Sequence, residues 1–443
     1  MPTLLPMRGR DAREQHRAST PLELFFDLTF VVGVAFAAEG FAHEVELGDG
    51  AHGLVVYLMV FFAIWWGWLN FTWFASAYDT DDWLYRLVTL VQMAGALVVA
   101  AGVPRALASE DFVVIVVGYV IMRLALVSQW LRAARDDPDH RRVALVYAGG
   151  VTAVQLLWIL RLLLPDGLAV VSFLVLVLAE LAVPYLAERG SMTPFHTGHV
   201  AERYGLFTLI VLGEGVLATA KSVVAAIDEG EHVAGLVGLA GLGLVVVAGM
   251  WWLYFAVESG QTLGTYRRIW TFGYLHYLVF ASAGAVSAGL EAQIAHLGGH
   301  GEVSDVVVGA ALGLPVAVFV LVVWALVLRP HLQGPWLVAG PVGAALIAVA
   351  GLLPTAPLVT TAAVAVLLVA VVVAHTVGVR RGPDVAGQDV AAGPAEGVTA
   401  AEGVAPADGV AEAAGAVAPG NGARDDGGPV GSATPPTVHD GHG

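Results

Sequence analysis

Apolar residues gather along this chain into runs of about twenty, and most charged residues are left in the short gaps between them. Runs of that length cross a hydrocarbon core of about 30 Å as helices. Twelve occur: 22–42, 51–75, 84–103, 111–131, 143–164, 168–187, 202–221, 234–257, 270–291, 305–328, 336–353 and 357–379. They are too long for barrel strands, and a helix satisfies its own backbone groups in lipid. The pattern predicts an all-α fold, a polytopic integral membrane bundle of about twelve transmembrane helices.

Composition agrees. The chain is 57 % hydrophobic and 13 % charged, with a mean hydropathy of +0.75. That leaves too little polar surface to cover a soluble globule of this size. Cysteine is absent, so disulfides, thiolate metal sites and cysteine nucleophiles are excluded.

The basic residues give an orientation. With the N-terminus cytoplasmic, Arg8, Arg10, Arg13, Arg17, Arg86, Arg132, Arg135, Arg141, Arg142, Arg189, Arg203, Arg267, Arg268, Arg329, Arg380 and Arg381 all fall at inner loops or helix ends, while the outer side receives only Arg105, Arg161 and Lys221. This is the positive-inside asymmetry. It predicts a multi-pass protein of a bacterial inner membrane with both termini cytoplasmic. Glu23 and Asp27 inside the first run, and the many runs after it, argue against a cleaved signal peptide.

Three regions follow: an Arg-rich cytoplasmic segment at 1–20, a transmembrane domain at 21–381, and a tail at 382–443. The tail is rich in Ala, Gly and Pro, lacks aromatic residues and carries half of the formal net charge of −16. It cannot bury enough apolar surface to order itself and is expected to be disordered. Within the membrane domain, Glu23 and Thr29 match Glu202 and Thr208, Trp65-Trp66 match Trp251-Trp252, and Arg86 and Thr89 match Arg268 and Thr271, at offsets near 180. The matches suggest a parallel 6+6 duplication with halves at 21–190 and 195–381.

Acids inside apolar runs are costly unless paired or wetted, which makes them candidates for function. Residues 21–44, PLELFFDLTFVVGVAFAAEGFAHE, carry Glu23 and Asp27. Residues 202–220, ERYGLFTLIVLGEGVLATA, carry Glu202 and Glu214. ELFFDLTFV at 23–31 with HVAERYGLFTLIVLGEGV at 199–216 resembles the low temperature requirement A (LtrA) family of bacterial membrane proteins, over roughly residues 20–380. The resemblance implies no reaction or substrate. Tyr204 stands where a His is common in that family, and Gly215 where a Ser usually follows the glutamate.

At about 1.5 Å per residue, Glu214 lies about 18 Å along its span, near the midplane. Arg203, Glu214 and Lys221 share one helical stripe, which predicts a polar seam facing protein or water. Arg123 and Glu180 reach similar depth in the fourth and sixth spans, where an ion pair with each other or with Glu214 would relieve their burial. Gln92 and His276 occupy counterpart spans, and His276 is a proton-relay candidate because an imidazole titrates near neutrality. Glu23 and Asp27, four apart, also suit the positive end of a helix dipole, so capping alone would explain them. His196 and His199 with Glu202 have a spacing that could hold a metal, without a visible fourth ligand. The paired tryptophans read as packing residues or interface anchors.

No Walker loop, dinucleotide fingerprint, zincin motif or Ser-His-Asp order is present, so no cofactor is expected. The mixed charges at 132–142 do not form a nucleic-acid patch. The expected surroundings are the lipid bilayer and an unidentified small molecule or ion. The leading expectation is a secondary transporter or ion-coupled permease with Glu214 as coupling carboxylate. A membrane sensor or scaffold in cold or envelope stress is a second. A lipid-acting enzyme built on Asp27, Glu202 and His199 is a third.

Overall fold

The computed structural model describes residues 4–11, 14, 17–229, 232–257, 266–299 and 303–380; the segment expected to be a disordered tail lies outside them. Each apolar run has become a helix: α1 (Pro21–Glu46), α2 (Gly50–Tyr78), α3 (Trp83–Ser109), α4 (Val113–Asp136), α5 (Arg141–Arg161), α6 (Ala169–Ala187), α7 (Thr197–Glu229), α8 (Val233–Tyr254), α9 (Tyr266–Leu297), α10 (Asp305–Val323), α11 (Ala339–Gly351) and α12 (Pro357–Arg380). All twelve reach spanning length and hydropathy, and no strand occurs among the described residues. The chain is a multi-pass helical membrane protein. Only α11 is short, and a 3-10 turn over Gly334–Val338 completes that span to 18 residues.

Local sequence starts α1 sharply. Pro21 occupies its first turn, Thr20 accepts from the Glu23 backbone N–H, and the Glu23 carboxylate reaches back to the Thr20 N–H at 2.8 Å. This reciprocal capping box satisfies two otherwise orphaned donors.

Packing places α2 and α9 at the centre, each with 78 % of its apolar window buried, and α6 at the periphery with 28 %. The pairing order repeats. α1 packs on α2 and α3, α3 on α4, α4 on α5 and α5 on α6; α7 packs on α8 and α9, α9 on α10, α10 on α11 and α11 on α12. The two sets meet mainly where α1 lies against α9 and α7. The sets differ in one respect, because α12 also packs closely on α8 and α10, whereas α6 reaches α2 and α4 through side chains and not by comparable backbone approach. Glycine permits the tightest crossings: a Cβ at Gly118 of α4 would stand 2.5 Å from the Val99 nitrogen of α3, and one at Gly289 of α9 would stand 2.5 Å from the Ala311 carbonyl of α10. Such backbone contact replaces the hydrophobic effect as the source of helix cohesion in lipid.

The segment before α1 crosses the bundle end formed by the α2–α3, α4–α5 and α6–α7 connections. Its backbone N–H groups donate to carboxylates, Leu5 to Asp82, Met7 to Asp136 and Gly9 to Asp137, while Arg10 N–H donates to the Ala77 carbonyl. Met7 is fully buried there.

Candidate functional site

Where α1 and α7 cross, the capping glutamate acquires a second role. Glu23, Asp27, His199 and Arg203 are all 0 % exposed. Arg203 reaches from α7 between the two acids of α1: its Nη1 lies 3.0 Å from Glu23 Oε1, its Nε donates to Asp27 Oδ2 at 3.2 Å, and its Nη2 donates to Asp27 Oδ1. Trp68 of α2 donates its indole N–H to Asp27 Oδ1 at 2.7 Å. His199, one helical turn before Arg203, places Nε2 3.1 Å from Glu23 Oε1, and its Nδ1 has no partner. One guanidinium therefore faces two carboxylates, and with His199 neutral the α1–α7 cluster carries an excess negative charge.

The cluster continues toward the N-terminal segment. Arg17, 6 % exposed, donates to the carbonyls of Ala75 and Ser76 and lies 3.9 Å from Glu23 and 3.7 Å from Asp79. Asp79 follows the end of α2, and burial pushes its carboxyl up to about 6, with the Glu23 charge adding to the effect and Arg17 and Arg10 opposing it. Glu202 stays at the edge, accepting from the Ser19 N–H at 3.2 Å.

A second buried pair lies within the first six helices. Arg123 of α4 donates to Glu180 of α6, so these mid-depth charges answer each other. Glu180 also accepts from Trp66 at 2.8 Å and from Trp158 and Gln155 at 3.2 Å each.

Several expectations need correction. The Arg203–Glu214–Lys221 stripe is not a polar seam. Arg203 turns to α1, Lys221 pairs with Glu291 of α9 at 2.7 Å, and Glu214 makes no ion pair or hydrogen bond with a described residue. Residues eleven apart on a helix are about 16 Å apart, so a shared face does not imply contact. The paired tryptophans do fall within the expected alternatives: Trp65 and Trp66 are buried packing residues, and Trp251 and Trp252 are exposed on the bundle surface. Gln92 pairs with Gln129 of α4, and His276 with the Tyr254 hydroxyl at 2.9 Å, so these two counterparts are not brought together. His196 does not join His199 around a metal; its Nε2 contacts the Glu14 carbonyl at 2.8 Å and its Nδ1 accepts from the His199 backbone N–H. Among the described residues no group of three or more His, Asp or Glu is arranged to hold a metal.

The segments that build the α1–α7 cluster are the ones that carry the sequence resemblance. The family described as bacterial low temperature requirement A protein (LtrA) matches residues 18–373. The chain belongs to the LtrA family. An uncharacterized protein of Rhizobium meliloti (strain 1021) is 27 % identical over 285 residues, covering 60 % of this chain and 67 % of the relative. In this LtrA-family chain Tyr204 is buried and accepts from the Trp73 indole at 3.2 Å, and a Cβ at position 215 would stand 2.7 Å from Val247 Cγ2 and 3.7 Å from the Ser287 hydroxyl.

Sequence reasoning missed Arg17, Asp79 and Trp68. Arg17 had been counted only as a cytoplasmic charge. No local signal marks the other two, because their roles depend on how α2 packs against α1 and α7.

Proposed function

We propose that this LtrA-family protein is a proton-coupled secondary transporter of the bacterial inner membrane, with both termini cytoplasmic and two six-helix halves related by a parallel duplication. One observation carries the reading: the fully buried Glu23–His199 and Asp27–Arg203 contacts join the first helix of one packing set to the first helix of the other. Titratable groups at such a junction couple a protonation to a relative movement of the two sets. His199 is placed to pass a proton, accepting at its free Nδ1 and donating from Nε2 to Glu23. Protonation of Glu23 or Asp27 then releases part of the hold on Arg203 and weakens the α1–α7 contact. Glu214, within electrostatic reach of Lys221 and Glu291, is the candidate for a second protonation step nearer the opposite end. That end opens in a cavity of about 760 Å³ between α1, α3, α7 and α9, lined in part by Glu39, Glu44, Lys221 and Glu291.

Purified protein in liposomes under an imposed pH gradient and membrane potential tests this against a panel of small ions and metabolites. The expected result is a substrate-dependent proton flux that Asp27→Asn and Glu23→Gln reduce at least about tenfold, the usual share of a positioned acid or base, while insertion is preserved. Flux that survives both substitutions would remove these acids from coupling; silence across the panel from folded protein would remove the transporter reading.

A further inference from the structure

Away from the α1–α7 cluster, where α4 and α6 begin and α5 ends, lies a buried cation without an anion among the described residues. Arg161, the last residue of α5, is 9 % exposed. The other buried arginines, Arg17, Arg123 and Arg203, each have a carboxylate within 4.0 Å. Arg161 has none among the described residues. Its Nη2 donates to the Ala169 carbonyl at 2.9 Å, and its Nε is buried without a partner. The rings of Phe112, Trp158 and Phe173 surround the guanidinium at 5.6 to 5.8 Å. Aromatic faces ease the burial of a cation but accept none of its N–H donors in the way an oxyanion does.

The same guanidinium lines an open cavity of about 340 Å³ with Val113, Ala169 and Ser172. Ala169 begins α6, a 19-residue helix whose N-cap, Leu168, supplies no side-chain acceptor. The N-terminal N–H groups and positive dipole end of α6 thus lie at the cavity that holds the unpaired Arg161 charge, and both attract anions. Behind Arg161 a narrow apolar crevice runs beside Met59, Phe62 and Val116. Two acids, Glu110 and Asp111, also line the cavity, each held by a cation or a backbone donor. Glu110 is 3.5 Å from His52, and Asp111 caps the Val113 N–H at 3.0 Å and lies 3.9 Å from Arg105. Their charge favours a singly charged ligand over a more highly charged one.

We propose that this cavity binds a phosphate-class oxyanion, with Arg161 as its principal ligand and the α6 N-terminus as its second. A phospholipid headgroup presents that chemistry on an apolar anchor, and free inorganic phosphate presents it without one. The site is independent of the transporter reading.

The test uses the full chain in detergent. Native mass spectrometry compares phosphatidylglycerol with diacylglycerol, which lacks the phosphate, and thermal melting is followed with and without inorganic phosphate. Wild type should prefer phosphatidylglycerol, Arg161→Gln should lower its occupancy about fivefold to tenfold through loss of a charge-assisted contact, and Arg161→Lys should keep most of it. Stabilisation by inorganic phosphate that Arg161→Gln abolishes, without a lipid preference, supports the site with the free anion as its occupant. Equal binding by wild type and Arg161→Gln overturns the proposal. So does a wild type that shows neither a preference for the phosphate-bearing lipid nor stabilisation by phosphate, and that outcome does not depend on any variant folding.

Discussion

Arg203 holds the α1–α7 contact together, because its guanidinium bridges Glu23 and Asp27. Breaking one side of a buried pair costs about 3–5 kcal/mol, since the remaining charge is left without compensation. Arg203→Gln is therefore expected to lower stability by about that amount in detergent melts, and Asp27→Asn in the same chain should recover part of it. A double mutant as unstable as the sum of the singles would show that the two residues do not interact. Asp79 gives a prediction in pH. Its carboxyl is raised from 3.8 to about 6 by burial. Between these values the folded chain keeps a proton that the unfolded chain has released, so stability falls as the pH rises through this window and levels off above it. A shift of this size corresponds to on the order of 3 kcal/mol. Melting of Asp79→Asn should lack the decline, and a decline of wild-type size in the variant would assign it to another group. The residue scale was also where the sequence was hardest to read. Its hydropathy flagged Glu23, Asp27, Glu180 and Glu214 alike as costly, but gave no means of knowing that Glu23 meets His199 from 176 positions away while Glu214 meets no cation.

The helices themselves were legible, because backbone satisfaction in lipid and the thickness of the bilayer act on each run separately. Their ends were less so. α7 begins five residues before its apolar run and continues eight beyond it, since polar residues outside the hydrocarbon prolong a helix without raising its hydropathy. Glycine shows the same division between local and tertiary information. Gly118 and Gly213 both sit within helices, yet a Cβ at Gly118 meets the α3 backbone and one at Gly213 meets nothing within 4 Å. Gly118→Leu should force α3 and α4 apart and abolish a cooperative melt, whereas Gly213→Ala should stabilise by about 0.5–1 kcal/mol through helix propensity. Equal tolerance of the two substitutions would show that the α3–α4 crossing is looser than its geometry.

At the scale of the whole molecule, the packing order of α1 to α6 recurs in α7 to α12 except at the last helix, beside sparse sequence matches near an offset of 180. Those matches were hard to separate from chance among Ala-, Val- and Leu-rich helices. Sidedness is expected on different physics, the bias of arginine toward one side of the bundle, and it can be measured directly in a chain that has no cysteine of its own. Leu47, after α1, and Leu353, before α12, are exposed at one end of their helices, and twelve spans with a cytoplasmic N-terminus put both outside. Asp139, exposed between α4 and α5, falls inside. In right-side-out membrane vesicles, an impermeant maleimide should label Leu47→Cys and Leu353→Cys at once and Asp139→Cys only after permeabilisation. Immediate labelling of Asp139→Cys with the other two protected would invert the orientation, and would move the Glu23–Arg203 cluster from the cytoplasmic to the outer side. Labelling Leu47→Cys and Leu353→Cys from opposite faces would break the twelve-span count, and the two six-helix halves could not then share one orientation.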